Sequence, residues 1–150
     1  MKLLITGLNG TVAPWVGREA ETRGWDVVGW DRGAVDPADE AAALAFLRAE
    51  APDAIVHLAM GAESWAAQLA GFARLHGVPL VFVSTAMVFD ASSGGPHRPR
   101  DQRTAKDDYG QYKDSMRGRG ADGLSVGDRG PHRLADRAGW CRQQHAPSPG

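Results

Sequence analysis

The sequence predicts an α/β fold built on a doubly wound parallel sheet, and three observations carry that reading. Four short apolar runs alternate with helical stretches, the order that produces parallel strands joined by crossover helices. The runs are continuous, as suits strands buried on both faces. The first of them ends in regularly spaced small residues that open into a helix.

Taken in order, "KLLIT" (2–6) is the first strand, ended by Gly7. A helix is expected over 11–23, stopped by Gly24, and "DVVGW" (26–30) is the second strand. A second helix is expected over 37–50, with Asp36 as an N-cap before Pro37. "AIVHLA" (54–59) follows as the third strand, then a helix over about 62–76 ended by Gly77, then "PLVFVS" (79–84) as the fourth strand. Such a sheet is open and covered by helices on both faces.

At 150 residues the chain is expected to be one domain. A net charge of -1, with no sustained basic cluster in the first two thirds, argues against nucleic acid as a partner. No apolar run is long enough to cross a bilayer, and "MKLLITG" reads as a strand and not a signal peptide. The single cysteine, Cys141, excludes an internal disulfide, so a cytoplasmic location is expected, and no metal site is expected. Composition breaks after Lys113: residues 1–113 carry the strand and helix pattern, whereas 114–150 are rich in Gly, Arg, Asp, Pro, His and Ser without isoleucine or phenylalanine. Residues 114–150 are therefore expected to be unstructured.

In a doubly wound sheet, ligands bind at the carboxyl ends of the strands. After the first strand, "TGLNGTVAPW" spaces Gly7, Gly10 and Ala13 at three-residue intervals. Gly7 allows the tight turn, Gly10 lets backbone approach a pyrophosphate, and Ala13 allows close helix packing, with Asn9 and Thr11 in the same turn. A dinucleotide site is expected here, the plain alternative being a tight strand-to-helix turn. Asp31 ends the second strand where a carboxylate can accept from the adenosine ribose, or it is a solvated turn residue. Arg32 suits a 2′-phosphate or faces water, so NAD and NADP both stay open. Asp36 is placed to reach the adenine edge or to cap its helix. His57 reads as a hydrogen-bonded core histidine, while Leu58, Ala59 and Gly61 line the third strand's end, the small pair leaving room for a cofactor. Met87, Val88 and Phe89 read as packing.

Thr85 at the fourth strand end, Tyr109 and Lys113 complete a constellation able to converge on one carbonyl. The four-residue spacing of Tyr109 and Lys113 places phenol and ammonium on one helix face. Tyr109 would protonate the carbonyl oxygen, Lys113 would tune Tyr109 and hold the nicotinamide ribose, and Thr85 would hydrogen-bond the same oxygen.

"TGLNGTVA", "PDAIVHLA", "STAMVFD" and "YGQYK" together resemble the extended short-chain dehydrogenase/reductases, and within them the dTDP-4-dehydrorhamnose reductase-like sugar-nucleotide proteins. The resemblance covers residues 1–113 and implies the N-terminal half of such an enzyme. It implies an NAD(P)-binding Rossmann domain, a Thr85, Tyr109 and Lys113 triad, cofactor contacts that include Tyr109 and Lys113, and a nucleotide-sugar substrate. A homodimer is left open. The chain departs from the rhamnose reductases at Ala86 and Met87, where they usually carry Asp-Tyr. Two alternatives stand beside reduction: a non-catalytic NAD(P)-binding regulatory subunit, and an NAD-dependent epimerase or dehydratase. Family members run to about twice this length. Read one base later, with codons chosen to end mostly in G or C, the tail yields "TRCEDAV", "IGWQIG" and "GNNML", which look like the family's own continuation. A single-base insertion at or just after the Lys113 codon would produce the observed tail, the rival being a natural flexible tail whose arginines bind acidic partners. On either view the chain lacks the substrate lobe, and impaired activity is expected.

Overall fold

The computed structural model describes residues 1–91, 94–98 and 100–123, the last six of them by backbone alone. The elements run β1 (Lys2–Thr6), α1 (Ala13–Thr22), β2 (Asp26–Gly29), α2 (Glu40–Glu50), β3 (Ala54–His57), α3 (Glu63–His76), β4 (Leu80–Phe82), a short 3-10 helix (Ala86–Phe89) and α4 (Asp108–Gly123). The four strands form one parallel sheet in the order β2-β1-β3-β4. The order reverses between β1 and β3, and that switch opens a crevice at their carboxyl ends.

Alternation along the strands divides the core in two. Leu4, Ile55 and Trp30 point to one face, where Ala43 and Leu47 of α2 and Trp65, Leu69, Phe72 and Ala73 of α3 seal them. Trp30 meets Phe46 and Trp65 edge to face, with ring centroids 4.8 and 5.3 Å apart. Leu3 and Ile5 point to the other face, under Ala13, Ala20 and Val16 of α1. There the cover is partial: among the described residues Val81 of β4, Val83 just past it and Trp15 on α1 stay exposed.

Several boundaries differ from expectation for local reasons. Helix α2 starts at Glu40 and not at residue 37, because Asp39 accepts from the amide of Ala42 and is its cap. Asp36 instead accepts from the amide of Ala38 within the preceding turn. Helix α3 ends where expected, at Gly77 in the left-handed conformation. The sequence expectation of an unstructured segment from residue 114 needs correction: α4 continues to Gly123. Met116, fully buried, extends the inner face of the helix one turn past Lys113, and Arg103 forms an ion pair with Asp114. The remainder of that segment, 124–150, lies outside the described residues.

Candidate functional site

The crevice is built from four chain segments, each delivered by the end of a strand. The turn after β1 comes first. Gly7 has φ +84°, and a Cβ there would stand 3.0 Å from the backbone of Ala59. A side chain is excluded both by the left-handed backbone and by β3's own end. The Gly10 amide donates to the Gly7 carbonyl at 2.8 Å, closing the turn and leading the chain into α1. No side chain caps the N-terminus of α1, and Asn9, Gly10 and Thr11 are exposed beside it, so the positive end of the helix dipole opens into the crevice. Ala13 is buried beneath it.

A polar clasp holds β1 to β3 under this turn. Thr6 Oγ1 accepts from the amides of Leu58 and Ala59 at 3.1 and 3.2 Å and lies 2.8 Å from His57 Nδ1. With two donors already on that oxygen, the threonine hydrogen goes to Nδ1, which fixes His57 as the neutral tautomer protonated at Nε2. Nε2 has no hydrogen-bond partner among the described residues. Burial, and secondarily the charge of Lys113, lower the His57 pKa to about 4. The histidine is a core residue, as its apolar neighbours in sequence indicated, held edge-on to Trp65 and stacked against Phe82.

At the end of β2, Asp31 accepts from the amide of Gly33 at 2.8 Å, and Arg32 reaches the carbonyl of Met60 at 3.4 Å. Both are exposed, and Asp31 makes its turn hydrogen bond through one carboxylate oxygen, Oδ1. Gly61 differs from expectation. The space its missing side chain leaves is taken by the ring of Trp65, whose nearest atom would stand 2.7 Å from a Cβ at that position.

After β4, Thr85 caps the 3-10 helix, accepting from the amide of Met87 at 3.3 Å and keeping its hydroxyl hydrogen to donate. Helix α4 packs on this 3-10 helix and on α3. Gly110 makes the first contact possible, since a Cβ there would lie 2.8 Å from the Met87 carbonyl oxygen. Asp107 caps α4 through the amide of Gly110. One turn on, Lys113 is buried, its Nζ donating to the carbonyl of Val83 at 3.1 Å and standing 4.9 Å from the Phe82 ring centre and 5.8 Å from that of Tyr109. Burial holds its pKa below the usual lysine range. Tyr109 is exposed, at 41%. The structure therefore unites Lys113 with Tyr109, and brings both to the 3-10 helix that begins after Thr85. Tyr112 is the residue that the sequence did not single out: its hydroxyl donates to the Gly61 carbonyl at 2.7 Å and accepts from the Gly61 amide at 2.9 Å. Among the described residues no three His, Cys, Asp or Glu side chains cluster as a metal site would need, and no helix is long and apolar enough to cross a membrane.

A family model described as the RmlD substrate binding domain matches residues 1–64. No curated protein matches the chain. Among solved structures, a dTDP-4-dehydrorhamnose reductase from Clostridium acetobutylicum superposes with a TM-score of 0.73 at 22% identity, covering 81% of this chain and 49% of that one. The dTDP-4-dehydrorhamnose reductase from Bacillus anthracis, solved in complex with NADP, gives 0.72 at 19% identity over 81% and 49%. The Bordetella bronchiseptica enzyme WbmH, solved with NAD+, gives 0.70 at 21% identity over 81% and 52%. The chain spans about half the length of these structures. It carries the Rossmann-type fold of the dTDP-4-dehydrorhamnose reductases and their sugar-nucleotide neighbours, and its first 64 residues match the RmlD substrate binding domain family.

Proposed function

We propose that this chain carries the cofactor-binding part of an NAD(P)-dependent reductase acting on a keto-sugar nucleotide. The observation that carries the reading is the buried ammonium of Lys113, held at the end of β4 one helical turn from Tyr109, on the same edge of the sheet as the Gly7 turn. A lysine that gives up this much hydration in a cleft is a functional candidate. The glycine turn and the uncapped start of α1 suit a pyrophosphate, and the Asp31 carboxylate suits a ribose hydroxyl. The structures solved with NADP and with NAD+ are this chain's likeness in fold, and they support either nucleotide.

When bound, the nicotinamide would supply the hydride. The chain's own residues do the rest: the Tyr109 hydroxyl donates its proton to the substrate carbonyl oxygen, and the Lys113 ammonium favours the phenolate left behind while donating to the ribose. Thr85, whose oxygen already accepts from Met87, donates its hydrogen to the same carbonyl oxygen. The chain spans about half the length of the reductases it resembles in fold, so little or no turnover is expected from the 150 residues alone.

Fluorescence titration of the purified chain with NADH and NADPH tests the cofactor reading. Saturable binding that Lys113→Ala weakens is expected, and no binding of either nucleotide overturns it. Keto-sugar reduction by the 150-residue chain would overturn the expected impairment. In a frame-restored, full-length protein, Tyr109→Phe separates an enzyme from a regulatory binding subunit, since it removes turnover from the first and leaves nucleotide binding in both.

A further inference from the structure

Two adjacent residues of α4 hold two neighbouring strand ends. Lys113 reaches the Val83 carbonyl beyond β4, and Tyr112 reaches both polar groups of Gly61 beyond β3. Successive helical side chains project about 100° apart, so two such anchors define the helix's rotation and its axial position together. The Trp65 ring also packs against Gly61, filling the space where a side chain would be. The preceding carbonyl, of Met60, receives Arg32 from the end of β2. Residues 60 and 61 are thus a short bridge between Arg32 on one side of the crevice and α4 on the other.

We propose that Tyr112 is a positioning residue of the site: by clasping the Gly61 backbone it sets the register of α4 that places Tyr109 and Lys113 over the strand ends. The proposal rests on the cofactor reading above. A slip of α4 by one residue would carry its side chains about 1.5 Å along the axis besides turning them, more than the roughly 1 Å that costs on the order of 100-fold in a positioned reaction. The hydroxyl, and not the ring, is the part of Tyr112 that makes the clasp, and phenylalanine tests it without emptying the space.

The experiment compares the wild-type chain with Tyr112→Phe and with Arg103→Gln, which breaks the ion pair from the preceding loop to Asp114 of the same helix without touching Gly61. Amide hydrogen exchange at Gly61 and NADH and NADPH affinities are measured on all three, at a temperature well below their melting points. Tyr112→Phe is expected to speed Gly61 exchange and weaken nucleotide binding roughly tenfold, the loss of about 1.4 kcal/mol, while Arg103→Gln changes neither. Unchanged affinity in Tyr112→Phe, or equal weakening in both variants, overturns the positioning role and leaves the cofactor reading standing. If the wild type binds neither nucleotide the cofactor reading falls, and the exchange rate then decides the clasp: faster in Tyr112→Phe sustains it, unchanged overturns it.

Discussion

The two faces of the sheet are made from the same four strands and end differently. On one face α2, α3 and α4 close over Leu4, Trp30, Ile55 and His57, with Trp65, at 1% exposure, wedged among them. On the other, α1 is the one helix among the described residues that covers Leu3 and Ile5, while Trp15 is 67% exposed and Val81 55%. Both faces are apolar, so sequence patterning treats them alike. The difference lies in how many helices the described chain places on each. The sealed face carries α4, from which Lys113 and Tyr112 reach the strand ends, and the α1 face provides the glycine turn.

The comparison can be broken most forcefully at Trp65. Replacing it by alanine empties the junction of Trp30 and His57, and a loss of about 3–5 kcal/mol is expected in urea unfolding. A loss below about 1 kcal/mol would mean that this face is not the principal core.

Next in size is a pH effect on the same face. The unfolded histidine takes up a proton near 6.5, whereas His57 in the folded chain resists protonation down to about 4. Between those values the unfolded chain binds more protons, so this contribution to stability is complete above 6.5 and is lost as pH falls toward 4, about 3 kcal/mol in all. Acidification also titrates carboxylates, so the readout is the difference between wild type and His57→Asn. Parallel stability curves for the two across that window would show that His57 is not held neutral.

On the α1 face the largest effect is expected at Gly7. An alanine there meets the Ala59 backbone and a left-handed φ, at a cost of about 1–3 kcal/mol. Loss of nucleotide binding should accompany it, and a variant that melts earlier yet binds normally would detach the turn from the cofactor. Trp15→Ser should matter least, within about 0.5 kcal/mol, because the ring is already mostly in water. A large loss there would show that the α1 face is covered in solution after all.

Much of this architecture was legible in the residues. Strand β1 lies where "KLLIT" put it, since a continuous apolar run followed by glycine admits few other readings. His57 was recognisable as a core residue from its apolar neighbours, but its partner, Thr6, lies 51 positions away and no local pattern announces the pair. Asp36 and Asp39 are equally good caps by composition, and only the backbone path after Pro37 chose the second. The continuation of α4 beyond Lys113 was missed because one buried methionine is too little periodicity to read, although packing against α3 makes it enough.

The sequence by itself determined the order of strands and helices, the glycine turn and the spacing of Tyr109 from Lys113, because these depend on local backbone preference and on the period of apolar residues. Tertiary structure alone decided that Tyr112 clasps the Gly61 backbone and that Lys113 is buried against the Val83 carbonyl. Those contacts join residues about thirty to fifty positions apart in the chain. They exist only once hydrophobic burial has brought the strand ends together, and no sequence window short enough to show a pattern contains both partners.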